Sequence, residues 1–470
     1  DEFRSIQLSC QLERCLYADP EFKICTRGRI TKWCRPQEID YHDKQTLRSL
    51  GGWLPFNGGE TSVDWQLFRG TPKAEDVQQG ELGNCWFISS LAALAEFQSG
   101  RFVRMLFPLQ TELSRCGAYL VRLCLGGEWR DIIVDDRLPC IGGVGFYTQL
   151  AYCSTSRLQL WASLVEKAFA KACGSYETIE AGNGDEALTI LTGWPCKRID
   201  FSREEFDADM LWANLSTSRD ARFLMTCSTG REEAARETVG LVPNHAYSLL
   251  DVIEVQSPSH GLLRLLKVRN PHARTRWRGD WSESSSLWTK SLREQVGYDE
   301  VGSAGMFFIA FKDFLLWFES CIICYVRSED WLELRKPMVL PSCSAPCVGI
   351  ALEVAETTEC SMVLAQPEER TRHGPLYDSG LGALACIGFV IICAGGHRQS
   401  ESGVSAVAVG HMKCRAVVCT DCWLHPHRSY LLVPLSLHAG VAVPAVLACM
   451  SSKLVVMYER HIPSEAVRAA

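Results

Sequence analysis

Apolar residues recur at helical spacing through Trp86, Phe87, Leu91, Leu94 and Phe97, which predicts a helix over 85–97. The same reading predicts a helix over 161–172, with strands at 118–124 and 129–134. An apolar run beginning at His245 reads as a buried strand. After turn residues at 257–261 a second strand follows over 262–269 and ends at Asn270-Pro271. Beyond residue 346 the pattern changes to short strands alone, at 361–365, 385–393, 404–409, 430–433, 441–447 and 453–458. Turn residues separate them as in a β-sandwich. The chain is therefore read as α+β, with an all-β region at its end.

The chemistry concentrates in Gln79-Gly80-Glu81-Leu82-Gly83-Asn84-Cys85-Trp86. A cysteine that opens a helix meets free backbone N–H groups and a dipole that favour thiolate over thiol. Gly80 and Gly83 are expected to turn the loop so that the Gln79 amide lies beside the Cys85 N–H, forming an oxyanion hole. Most cysteines are not catalytic, so this reading needs a base, and His245 and Asn270 supply it. Antiparallel pairing of their two strands would bring them together, with Asn270 holding one imidazole nitrogen while the other takes the thiol proton.

Gln79, Cys85, His245 and Asn270 in this order make the chain similar to the calpains, papain-like cysteine proteases with a two-lobed core. The resemblance runs from about residue 17 to about residue 326. It includes Asp19-Pro20-Glu21-Phe22, Val134-Asp135-Asp136-Arg137-Leu138-Pro139, Leu160 to Lys171, Trp277 to Trp281 and Phe307 to Phe311. It implies a lead-in over 1–50, a helical Cys85 lobe over 51–193 and a β-rich His245 and Asn270 lobe over 194–326. A proline-bearing linker over 327–346 would then lead to a C-terminal β-sandwich over 347–470. No EF-hand loop is present, so the likeness is to atypical calpains, most of all the small-optic-lobes type.

The resemblance also implies that Cys85 attacks a scissile carbonyl, His245 moves the proton, Asn270 orients it and Gln79 stabilises the oxyanion. Two departures stand out. His272 occupies the position where the family carries tryptophan after Asn-Pro. At the two calcium positions of the family, Asp76 is kept but Gln159 replaces a glutamate, while Arg276, Ala304 and Met306 stand at acidic positions and only Glu283 remains. Calcium is thus expected to be at most a weak regulator through Asp76, and no cofactor is required for the chemistry.

Composition limits the alternatives. With a net charge of −7 and no basic block, nothing points to nucleic acid. The longest apolar runs are too short to span a bilayer. The 23 cysteines are odd in number, irregular in spacing and mostly in apolar company, which reads as reduced thiols in an intracellular, cytoplasmic protein. Cys414, Cys419, Cys422, His425 and His427 have the residue types for zinc but read better as a β-hairpin with incidental thiols. A start at Asp1 without methionine reads as a fragment or processed form. The substrates implied are protein chains cut at few sites. A transglutaminase-like acyltransferase also pairs Cys-Trp with a later histidine, but Asn270 and Gln79 favour hydrolysis. A catalytically weak scaffold is the other alternative, and His272 is what leaves room for it.

Overall fold

The computed structural model describes residues 1–22, 29–39, 64–142, 148–231, 237–273, 275–298, 305–340, 348–372, 383–394, 404–437 and 442–461. Of the sequence expectations, residues 23–28 and 40–50 of the lead-in, 51–63 of the first lobe, 341–346 of the linker and Ala304 lie outside these. Contacts divide the chain into two compact units, residues 1–123 with 131–326, and residues 124–130 with 327–470.

In the first unit the helix Cys85–Glu96 is buried from Trp86 to Ala95, on every side rather than along one stripe. Phe87 stacks on Phe169 of the helix Trp161–Ala172, with ring centroids 4.7 Å apart. All twelve residues of that second helix are buried, including three charged ones. Each charge has its partner, as burial requires. Lys167 donates to the Asp135 carboxylate and to the carbonyls of Asp135 and Arg137. Lys171 meets both oxygens of Asp19 at 2.9–3.0 Å, and Glu166 accepts from Asn84, the residue that precedes the helix Cys85–Glu96.

After the helix Gly184–Thr192 the chain turns at Gly193 (φ 73°) and enters a six-stranded antiparallel sheet. Its order is Met306–Ala310, Gly261–Arg269, Ala246–Ser257, Leu224–Thr229, Phe318–Cys324, Cys196–Asp200. The helix Ala208–Asp220 covers one face, burying Leu211, Trp212 and Leu215 against Tyr247, Val252, Leu266 and Ile309. The expected pairing is present: Ser248 lies opposite Arg269, so His245 and Asn270 project from neighbouring strand ends.

The second unit holds a four-stranded and a five-stranded sheet. Both contribute to one apolar cluster, for example Leu364 and Cys449 from the first and Phe389 and Leu432 from the second. Two sequence expectations need correction here. The stretch 327–346 is not simply a linker, because Leu332–Leu340 is a strand whose nine residues all pair with Val443–Ser451. Pro337 is tolerated because this strand lies at the sheet edge, where one row of N–H groups needs no partner. Val404–Cys414 and Val417–Leu424 do not form a hairpin either. They join different sheets, so the turn between them is a corner. Among the described residues no group of three or more His, Cys, Asp or Glu side chains is placed to hold a metal ion. Nor is any described helix long and apolar enough to cross a membrane.

Candidate active site

Cys85 is the first residue of its helix and Asn84 is the N-cap. The Asn84 side chain does not cap. Its Nδ2 donates to Glu166 Oε1 at 2.7 Å, and the other Glu166 oxygen accepts the Cys153 N–H at 3.0 Å. Burial pushes the Glu166 carboxyl up to about 7, although both hydrogen bonds favour its anion. Sequence reasoning missed this residue. The available signal was a glutamate among the three charged residues of a mostly apolar helical stretch.

The Cys85 thiol is pushed up by burial, while the backbone N–H groups of Ala246, Trp86 and Cys85 itself pull it down. Burial is the larger effect, so the resting Cys85 side chain is a thiol. The helix start alone favours thiolate, but packing against the His245 strand removes the water that would solvate an anion.

His245 Nε2 and Asn270 Oδ1 are 3.0 Å apart, both residues being buried. Asn270 Nδ2 donates to Thr275 Oγ1 at 3.0 Å and to its carbonyl at 3.2 Å, which turns the amide oxygen toward the imidazole. That oxygen also accepts the His272 N–H at 3.0 Å. With Nε2–H donating to Asn270, Nδ1 is left to accept a proton. The His245 pKa is lowered to about 3, by burial first and by His272 second, with the bond to Asn270 opposing both. The imidazole is therefore neutral at rest. Ser248 Oγ donates to the Ser89 carbonyl at 2.7 Å, which fastens the His245 strand to the Cys85 helix.

Gln79 is buried, with Nε2 donating to the Leu82 carbonyl at 2.8 Å and its backbone N–H to the Pro271 carbonyl at 3.0 Å. One amide hydrogen remains for another acceptor. Gly80 is required, since a Cβ there would lie 2.3 Å from the Ala151 carbonyl oxygen. Gly83 is different: a Cβ would meet open space and its φ is not positive, so the turn itself does not demand glycine.

The calcium expectation at Asp76 meets a different arrangement. Its carboxylate is buried and accepts from the Lys73 N–H at 3.0 Å, Ser156 Oγ at 2.9 Å, and Arg157 through Nε at 2.8 Å and Nη2. Arg157 Nη2 also points to the Thr71 carbonyl at 3.4 Å. Gln159 Oε1 accepts the Arg69 N–H at 2.9 Å. In the sheet portion, Arg276 pairs with Glu283. A guanidinium thus sits on each retained acid, and these donor sets do not fit a hard divalent cation.

The calpain family cysteine protease profile matches residues 17–325. The chain belongs to the calpain family. Calpain-type cysteine protease ADL1 of Oryza sativa subsp. japonica is 33% identical over 328 residues, covering 68% of this chain and 14% of that protein. DEK1 of Arabidopsis thaliana is 27% identical over 482 residues, 95% of this chain and 21% of that protein. Calpain-5 of Mus musculus is 29% identical over 371 residues, 71% of this chain and 53% of that protein. The chain therefore spans 14–21% of these plant relatives and about half of the mouse one. Among solved structures, the cysteine protease and lectin-like domains of Clostridium difficile Cwp84 align over 91% of this chain and 85% of that one. With a TM-score of 0.22 and 11% identity, that likeness is too weak to bear on the fold.

Proposed function

We propose that this chain is the catalytic portion of a papain-type cysteine endopeptidase that cuts protein chains at few sites. The observation that carries the reading is the 3.0 Å bond between His245 Nε2 and Asn270 Oδ1, with Ala246 N–H, the next backbone group, reaching the Cys85 sulfur. In this mechanism His245 Nδ1 takes the thiol proton as Cys85 Sγ attacks the scissile carbonyl. The free Gln79 amide hydrogen and the Cys85 N–H receive the developing oxyanion. His245 then protonates the leaving amine, and water, deprotonated by the same imidazole, releases the acyl group. Because both groups rest neutral, proton transfer accompanies attack instead of preceding it.

The same reading takes residues 51–193 and 194–326 as the two lobes of a papain-like core, and the C-terminal sheets as a β-sandwich. The Arabidopsis alignment covers 95% of the chain, so it extends past the core into that β-rich region. Calcium is not required in this proposal, since Arg157 and Arg276 supply positive charge to the acids that remain. The substrates are extended protein segments.

The test is mass-spectrometric mapping of peptide bonds cut by the wild-type chain and by Cys85→Ala. Turnover should fall by on the order of 10³-fold or more, with the melting midpoint within a few degrees. Equal cleavage by both proteins would remove the assignment.

A further inference from the structure

Arg269 immediately precedes Asn270 and ends its strand. Its side chain is wholly buried, the bulkiest charged one so placed among the described residues. Among the described residues the guanidinium has no carboxylate within ion-pair distance. Nη2 donates to the Val77 carbonyl, while Nε and Nη1 have no hydrogen-bond partner. Burial pushes its pKa down to about 10, opposed by the charges of Glu75, Asp76 and Glu96, so it stays cationic at neutral pH. A buried cation with one hydrogen bond is costly, and an apolar chain of similar volume would suit the core better. Stability alone does not account for arginine here.

Position does. Val77 starts the short strand Val77–Gln78, paired with Ser154–Thr155, and stands two residues before Gln79. On the far side of Asn270, the Pro271 carbonyl accepts the Gln79 N–H at 3.0 Å. Residues 269–271 therefore hold residues 77–79 at two points, across 192 residues of sequence. One segment carries the group that orients the base, and the other carries the oxyanion donor. Arg157 holds the adjoining residue Asp76 through an ion pair.

We propose that Arg269 is a positioning residue that sets the oxyanion donor Gln79 against the triad's Asn270 by holding the Val77 carbonyl. Its kinetic consequences rest on the protease reading above; its structural consequence does not. Without the guanidinium, Val77 is released, the bond from Gln79 N–H to Pro271 opens more often, and the Gln79 amide no longer waits where the oxyanion forms. Misplacement on the ångström scale at such a donor costs about 10²-fold in rate.

The experiment compares the full chain with Arg269→Met and Arg269→Lys. Hydrogen exchange at the Gln79 amide should quicken by about 10-fold or more in the methionine variant and less in the lysine variant, which keeps charge and a donor. On a cleaved peptide, kcat should fall by about 10- to 100-fold in the methionine variant with KM within about 3-fold. Alkylation of Cys85 by iodoacetamide needs no oxyanion hole and should stay within about 3-fold. Lost folding would lower turnover and raise exchange throughout the chain, and a poorly folded methionine variant leaves the lysine variant to carry the comparison. Unchanged Gln79 exchange in both variants would overturn the proposal, as would a kcat identical to wild type. If the wild-type chain cuts no peptide yet Arg269→Met quickens Gln79 exchange, the protease reading fails and the clasp stands.

Discussion

The imidazole of His245 lies stacked on that of His272, with ring centroids 4.8 Å apart and planes 12° from parallel. His272 occupies the position where the calpain pattern carries an apolar indole. It adds a second imidazole beside the proposed base, and the electrostatic effect lowers the basicity of His245.

Replacing His272 by tryptophan should therefore strengthen the base. The acid limb of the kcat/KM profile should move to higher pH, and the plateau rate should rise by about 2- to 5-fold. A pH–rate profile of His272→Trp beside wild type checks this. An acid limb that does not move would mean the stack carries no electrostatic coupling.

Chelation is expected to leave activity unchanged, because Arg157 already occupies the Asp76 carboxylate. Arg157→Ala would strand a buried carboxylate and should cost about 3 kcal/mol of stability. Some of that loss should be recovered in millimolar calcium, since the freed carboxylate and the Thr71 carbonyl are oxygen donors. Melting curves with and without chelator decide the matter. A wild-type chain that melts lower or stops working in chelator contradicts the ion-pair account.

Glu166 and His245 should give opposite slopes of stability against pH. The Glu166 pKa is raised from 4.5 to about 7 in the fold, so its contribution is full below 4.5 and is lost as pH rises through 7. The His245 pKa is lowered from 6.5 to about 3, so its contribution is full above 6.5 and is lost as pH falls toward 3. Glu166→Gln removes the first slope only. Thermal midpoints from pH 4.5 to 8 should therefore fall less steeply, or rise, in the variant relative to wild type. Parallel curves would show that Glu166 does not titrate in that window.

The C-terminal unit should begin at Arg327. A fragment over 327–470 keeps the Leu332–Leu340 strand on Val443–Ser451, whereas one over 347–470 bares an edge with nine residues of unpaired backbone. The longer fragment should melt cooperatively and the shorter one should aggregate, as read by circular dichroism and light scattering. Equal behaviour of the two would place the boundary back at residue 347.

The meeting of His245 with Asn270 was legible because its signals are local. Cys85 opens an apolar helix six residues after Gln79, and His245 and Asn270 end strands whose alternation and turn residues fix their pairing. The helix Trp161–Ala172 and the paired strands Ala246–Ser257 and Gly261–Arg269 follow from periodicity for the same reason. Leu332–Leu340 was hidden because Pro337 reads as a breaker, and only its place at a sheet edge makes it harmless.

What supports the triad was not legible. Glu166 meets Asn84 across 82 residues, Arg157 meets Asp76 across 81, and Arg269 meets Val77 across 192. A charged residue in a sequence looks the same whether it faces water or a buried carbonyl. Residue type and local pattern were enough to single out Gln79, Cys85, His245 and Asn270 as the candidates for chemistry. Their protonation and anchoring emerge only in the folded chain, because desolvation and long-range hydrogen bonds exist only once it has closed around them.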